Sequence, residues 1–161
     1  MATKKKKRGI PKYVLIRDTR EKEGHGWDFD LDEFCAGTEH KKLDEGDYTI
    51  QGMEHLFRVE RKGCISEFAG NIGKHRARFY REIERLKPIK YKFIVIEEDF
   101  DTIANYHLSN KITPNYIISN IISLQVKHGI QVVFVGKGKR ADLYIRWLFH
   151  KMWEYFVNGR L

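Results

Sequence analysis

The apolar positions fall into short blocks separated by charge. Tyr13-Val14-Leu15-Ile16 is an apolar run that stops at Arg17-Asp18-Thr19-Arg20-Glu21, the profile of a buried strand delivering charged groups at its C-terminal end. Period two governs Gly46–Gln51 and Leu56–Lys62, joined by Gly52-Met53-Glu54-His55, and predicts a hairpin. In its second arm Phe57, Val59 and Arg61 share one face, and Arg58, Glu60 and Lys62 the other. Helical spacing covers about 65–87, stops before Pro88, and invites a break near Gly70 or Gly73. Tyr91–Ile96 is an apolar strand followed by Glu97-Glu98-Asp99. Pro114 opens a helix reaching about Lys127, with Ile117, Ile118, Ile121, Ile122 and Leu124 on its apolar side. Gln131–Val135 is another buried strand, and Asp142 to about Val157 a final amphipathic helix. Residues 22–45 are rich in glycine and charge, and Trp27, Phe29, Leu31 and Phe34 suggest a short amphipathic turn or helix there. Strand, hairpin, helix, strand, helix, strand, helix predicts an α/β domain, a mixed sheet with helices on both faces.

A chain of 161 residues, 42% of them hydrophobic, suits one domain with a core of its own and excludes an intrinsically disordered polypeptide. Residues 1–11 read as a basic flexible arm and 12–161 as the domain. No apolar run approaches the roughly 20 residues that cross a bilayer, so no membrane association is expected. The basic run at the N-terminus lacks the apolar segment of a signal peptide, and Cys35 and Cys64 form neither a disulfide framework nor a CxxC site. Cytoplasmic residence is the expectation. Net charge is +8 with a pI near 9.4, which favours a polyanionic partner, nucleic acid before membrane. Lys4 to Arg8 carries five of those charges, so the remainder is only mildly basic, near +3.

The candidate chemistry lies in the hairpin. An acid at the start of one arm, Asp47, and an acid-x-lysine on the other, Glu60 and Lys62, can converge on one edge of a sheet. Phosphodiester hydrolysis needs a divalent cation to neutralise the scissile phosphate and a route from water to hydroxide near neutral pH. Two carboxylates supply hard oxygen ligands for Mg²⁺, and a neighbouring lysine can orient the attacking water or stabilise developing charge. Asp18 and Glu21, at the end of the first strand, can join the cluster. The same triplet also fits a solvated hairpin face held by Glu–Lys pairing.

Asp18-Thr19-Arg20-Glu21, then Gly46-Asp47-Tyr48, then Val59-Glu60-Arg61-Lys62 closely resemble the nuclease domain of the XPF-type structure-specific endonucleases, members of the restriction-endonuclease-like superfamily. The resemblance continues through Arg76–Leu86, similar to an arginine-rich helix of that family, and through Phe93–Glu97, Thr113–Gln125, Gly129–Phe134 and Ala141–Leu148, so it spans about residues 13–150. It implies a restriction-endonuclease-like fold and a metal-dependent DNA endonuclease acting at branched or single/double-strand junction DNA, in repair, recombination or replication. It implies Asp18, Asp47 and Glu60 as metal ligands, Glu21 beside them, Lys62 as catalytic lysine and Arg61 in support, with Mg²⁺ as cofactor and Mn²⁺ as a substitute.

Two departures stand out. The family motif closes with an aspartate where this chain has Ser66, with Glu67 next, and the family's usual helicase or tandem helix-hairpin-helix partner domain has no counterpart in the sequence. DNA grip is then expected from the domain itself or from a partner. Arg20, Arg76, Arg78, Arg81 and Arg85 are the candidates, although the run from Arg76 to Arg85 also reads as a helix face paired with Glu82 and Glu84. The Lys4–Arg8 run adds either non-specific DNA affinity or solubility. Trp147, Trp153, Tyr155 and Phe156 read as core or subunit interface, and the resemblance implies homodimers paired through C-terminal helices. Gly136-Lys137-Gly138-Lys139 lacks the rest of a P-loop and reads as a strand-to-helix turn. The alternative from another class is a catalytically silent DNA-binding or scaffolding subunit, which Ser66 favours.

Overall fold

The computed structural model describes residues 9–27, 29, 32–106 and 111–161, so the Lys4–Arg8 run and Leu31 lie outside the described residues. Six strands form one sheet: β1 (Tyr13–Arg17), β2 (Cys35–His40), β3 (Tyr48–Ile50), β4 (Phe57–Lys62), β5 (Tyr91–Ile96) and β6 (Ile130–Phe134), in spatial order β2-β1-β3-β4-β5-β6. The β1–β3 and β3–β4 pairs are antiparallel; β1–β2, β4–β5 and β5–β6 are parallel. The sheet is therefore mixed, as the element order implies.

Helices cover both faces. Alternation in β5 sends Ile94 and Ile96 to one side and Phe93 and Val95 to the other. The first side packs against α1 (Ile65–Ile72), α2 (Arg76–Arg85) and α3 (Pro114–His128). The second packs against α4 (Lys139–Val157), where the Phe149 ring meets Tyr13, Trp27, Phe29 and Phe57 at centroid distances of 5.2–6.5 Å. Pro114 stands at N1 of α3, behind a Thr113 cap that accepts from the Tyr116 amide. The expected break near Gly70 or Gly73 falls at Gly73, where Ile112 packs so closely that an added Cβ would sit 2.8 Å from it. Gly138 caps α4, making 136–139 the strand-to-helix turn the pattern suggests.

Residues 22–45 depart from expectation. Cys35–His40, which the pattern does not mark as a strand, adds a parallel edge strand beside β1, while Trp27 and Phe29 are buried under α4; the expected turn or helix around Trp27–Phe34 includes Leu31, which lies outside the described residues. The strand lacks hydrophobic alternation because it has one neighbour and stands half in solvent. A register shift opposite Tyr13 and Val14 interrupts its pairing near Gly37.

Candidate active site

Sheet register assembles the cleft. Tyr48 lies opposite Val59, so continuing the antiparallel ladder sets Asp47 opposite Glu60. The Asp47 amide donates to the Val59 carbonyl (2.9 Å), and its carbonyl accepts from the Asp18 amide (2.8 Å). Its side chain is fixed as well: Oδ2 accepts the Arg61 amide at 2.7 Å. Two residues along one face of β4, Lys62 donates from Nζ to Glu60 Oε1 at 2.7 Å. The result is a cleft of about 320 Å³, lined by Asp47, Glu60, Arg61 and Lys62, by Arg20, Glu21, Lys22 and His25 of the loop after β1, and by Glu67 from the first turn of α1.

Electrostatics set these groups apart from a solvated hairpin face. Burial, and then the Glu60 carboxylate beside it, push the Asp47 carboxyl well above the ordinary carboxylate range. Burial pulls the Lys62 ammonium down, but the Glu60 and Asp47 carboxylates outweigh it and hold it above its usual value. Two crowded acids sharing one lysine form a site that gains from a further positive charge. No group of three or more His, Cys, Asp or Glu side chains converges on a single metal position among the described residues. A cation here would rest on Asp47 and Glu60 and complete its shell with water and substrate oxygen, which is how Mg²⁺ is ordinarily held. The donor set fits that ion.

Asp18 is placed differently from the expectation. It is 1% exposed, and both its oxygens are committed: Oδ1 accepts from the Arg20 amide and Nε, each at 2.8 Å, and Oδ2 from Arg20 Nη2 and the Leu43 amide. Burial alone would raise its carboxyl, but the Arg20 guanidinium and the Leu43 amide outweigh that and hold it below the ordinary value. Asp18 does not line the cleft; it ties the loop after β1 to the segment before β3. Glu21 does line it, paired to Arg61 Nη1 at 3.3 Å. Arg61, on the opposite face of β4 from Glu60 and Lys62, also donates from Nε to Glu97.

A family model for the ERCC4 domain matches residues 17–141. The chain belongs to the ERCC4 domain family. Two solved structures share the fold: XPF from Aeropyrum pernix, with a TM-score of 0.64 and 22% identity over 86% of this chain and 61% of that one, and the same protein in complex with DNA, with 0.63 and 19% over 88% and 64%. The chain thus spans less than two thirds of the length of each. No curated protein matches.

Within this ERCC4 domain the departure at the end of the motif acquires a location. Ser66 faces a separate crevice beside Glu98 and Asp99, whereas Glu67 lines the cleft with Asp47, Glu60 and Lys62. Glu67 Oε2 accepts the Gly63 amide at 3.0 Å, tying the turn that leads into α1, while the Ile65 amide at the start of that helix donates to Glu98 Oε2 at 2.6 Å. The arginines of α2 divide differently. Arg76 donates to Asn120 Oδ1 (2.7 Å) and the Tyr116 hydroxyl (3.2 Å), clamping α2 to α3. Arg78 pairs with Glu82 one turn on, and Arg85 with Glu45. Arg81 is exposed and has no ion pair among the described residues. Arg20 keeps a largely exposed side chain at the cleft although it serves Asp18. Of the other residues around the cleft, Glu67 is marked in the sequence by its place next to Ser66 at the end of the motif, and Glu97 by following an apolar strand directly, whereas Lys22 and His25 carry no signal in spacing.

Proposed function

We propose that this chain is a metal-dependent DNA endonuclease that hydrolyses phosphodiester bonds at branched or single/double-strand junction DNA. The observation that carries the reading is the cleft itself: Asp47 crowded against Glu60, Lys62 bonded to Glu60, and Glu67 lining the same cleft. Membership of the ERCC4 domain family supports the nuclease class, and the DNA-bound relative supports nucleic acid as partner. Asp47 and Glu60 would hold Mg²⁺, or Mn²⁺ in its place; the ion supplies Lewis-acid stabilisation of the phosphoryl oxygens and a more acidic bound water. Lys62 stays charged beside the two acids and is placed to stabilise the negative charge that grows on the phosphorane-like transition state. Arg61 positions the site from behind, its amide fixing Asp47 while its guanidinium holds Glu21 and Glu97. Glu67, lining the same cleft, is placed to orient water within it. The exposed Leu143, Tyr144 and Trp147 of α4 support pairing of two copies through that helix.

The second reading, a silent DNA-binding or scaffolding subunit, is favoured by Ser66, which stands where the motif closes with an acid and faces a separate crevice. Labelled fork, flap, four-way junction, duplex and single-stranded DNA, each incubated with Mg²⁺, Mn²⁺ or chelator, separate the two. Metal-dependent cutting of branched DNA is the expected result. Cutting of linear duplex alone would refute the branched specificity, and tight binding without cutting by the intact protein would establish the silent subunit.

A further inference from the structure

The loop after β1 is held more firmly than its exposure requires. Arg17 Nη2 donates to the carbonyls of Lys22 (2.8 Å) and His25. Glu21 is paired to Arg61. The Trp27 amide donates to the Tyr48 hydroxyl at 2.9 Å, and its indole stacks on the Tyr48 ring at 4.6 Å. Trp27 Nε1 donates to Glu97 Oε1 at 3.0 Å. Gly26, at φ +87°, lies so close to Tyr48 that a Cβ would meet the hydroxyl at 2.1 Å. Side chains from β1, β3 and β4, with Glu97 just past β5, thus fix an eight-residue surface strap.

What the strap presents is a lysine and a histidine. Lys22 and His25 are exposed on the wall of the cleft, and neither side chain has an ion pair or hydrogen bond among the described residues. Of the strap's two acids, Glu21 is engaged with Arg61, and the exposed Glu23 is not among the residues that line the cleft. A lysine and a histidine carried at the mouth of a cleft on a loop whose backbone is tied down, with no acid bonded to either side chain, offer donors for an anion. We propose that residues 20–27 form a phosphate subsite in which Lys22 and His25 take the backbone phosphate adjacent to the one that lies against Asp47 and Glu60. That the ligand is nucleic acid rests on the nuclease reading; that the strap binds its phosphate does not require cutting.

The test is binding without chemistry. Fluorescence anisotropy of a labelled DNA fork, in chelator and across a salt series, compares the full chain with Lys22→Ala, Lys22→Gln, His25→Ala, the double alanine variant, and Lys151→Ala on α4 as control. One lost phosphate contact lowers the slope of log K against log salt by about 0.9, which is about eightfold in affinity at 0.1 M salt relative to 1 M. Lys22→Ala and Lys22→Gln are expected to show that loss alike, the double variant a larger one, and Lys151→Ala none. A double variant with the affinity and slope of the parent overturns the proposal, as does a loss seen for alanine but not for glutamine. Absence of metal-dependent cutting, with the slope loss intact, would overturn the nuclease reading and leave the subsite standing.

Discussion

Replacing Asp47 with asparagine should abolish cutting and yet stabilise the protein. The Asp47 carboxyl is driven up by burial and by Glu60, so between the ordinary carboxylate value and the raised one the unfolded chain has released a proton that the folded chain retains. Stability therefore falls as pH rises through that interval, and above it the deficit is complete. Asparagine cannot ionise, yet its side-chain oxygen still accepts the Arg61 amide that now bonds Oδ2 at 2.7 Å. Each unit of raised pKa corresponds to about 1.4 kcal/mol. If two units survive relaxation of the site, the gain is about 2.7 kcal/mol, which for a chain of 161 residues raises the melting temperature by about 5–10 °C. Thermal unfolding followed by circular dichroism at pH 4 and pH 8, in chelator, measures it. The gain should be small at pH 4 and full at pH 8. An Asp47→Asn protein no more stable than the parent at pH 8, or equally stabilised at both, would refute the electrostatic account of the cleft.

Other changes probe other parts of the structure. Glu67→Gln keeps an acceptor for the Gly63 amide, so melting should shift by less than about 1 °C while the cutting rate falls about tenfold or more; a nuclease assay beside a melt checks both. Arg76→Ala removes the clamp to Asn120 and Tyr116 and should cost about 1–3 kcal/mol in urea unfolding, with fork affinity within about twofold of the parent. Phe149→Ala empties the centre of the aromatic cluster under α4 and should cost about 3–5 kcal/mol by the same measurement.

The parts of the fold that announce themselves in sequence are those with a strong period. The apolar blocks at 13–16 and 91–96 and the alternation of 56–62 locate β1, β5 and β4 to within a residue. Asp47, Glu60 and Lys62 are legible because the hairpin that unites them is local, and its register follows from period two. β2 is not, because an edge strand of the composition Cys-Ala-Gly-Thr-Glu-His gains its pairing from β1 rather than from its own pattern. Asp18 shows a different limit. An acid at a strand end reads the same whether it faces a cleft or braces a loop; the Leu43 amide, 25 positions on, together with Arg20, decides. The same holds for the contact of Trp27 with Glu97, which joins residues 70 positions apart, and for the choice between Ser66 and Glu67, of which only Glu67 lines the cleft.

The central claim is that the cleft between Asp47, Glu60 and Lys62 breaks phosphodiester bonds with a divalent cation. A single-turnover assay on one labelled fork tests it, with the intact chain in Mg²⁺ and in chelator and with Asp47→Asn and Lys62→Ala in Mg²⁺. The account predicts cutting by the intact chain in Mg²⁺ and none in the other three reactions. Cutting that persists in chelator or in either variant, or a parent that binds the fork and leaves it whole, would contradict it.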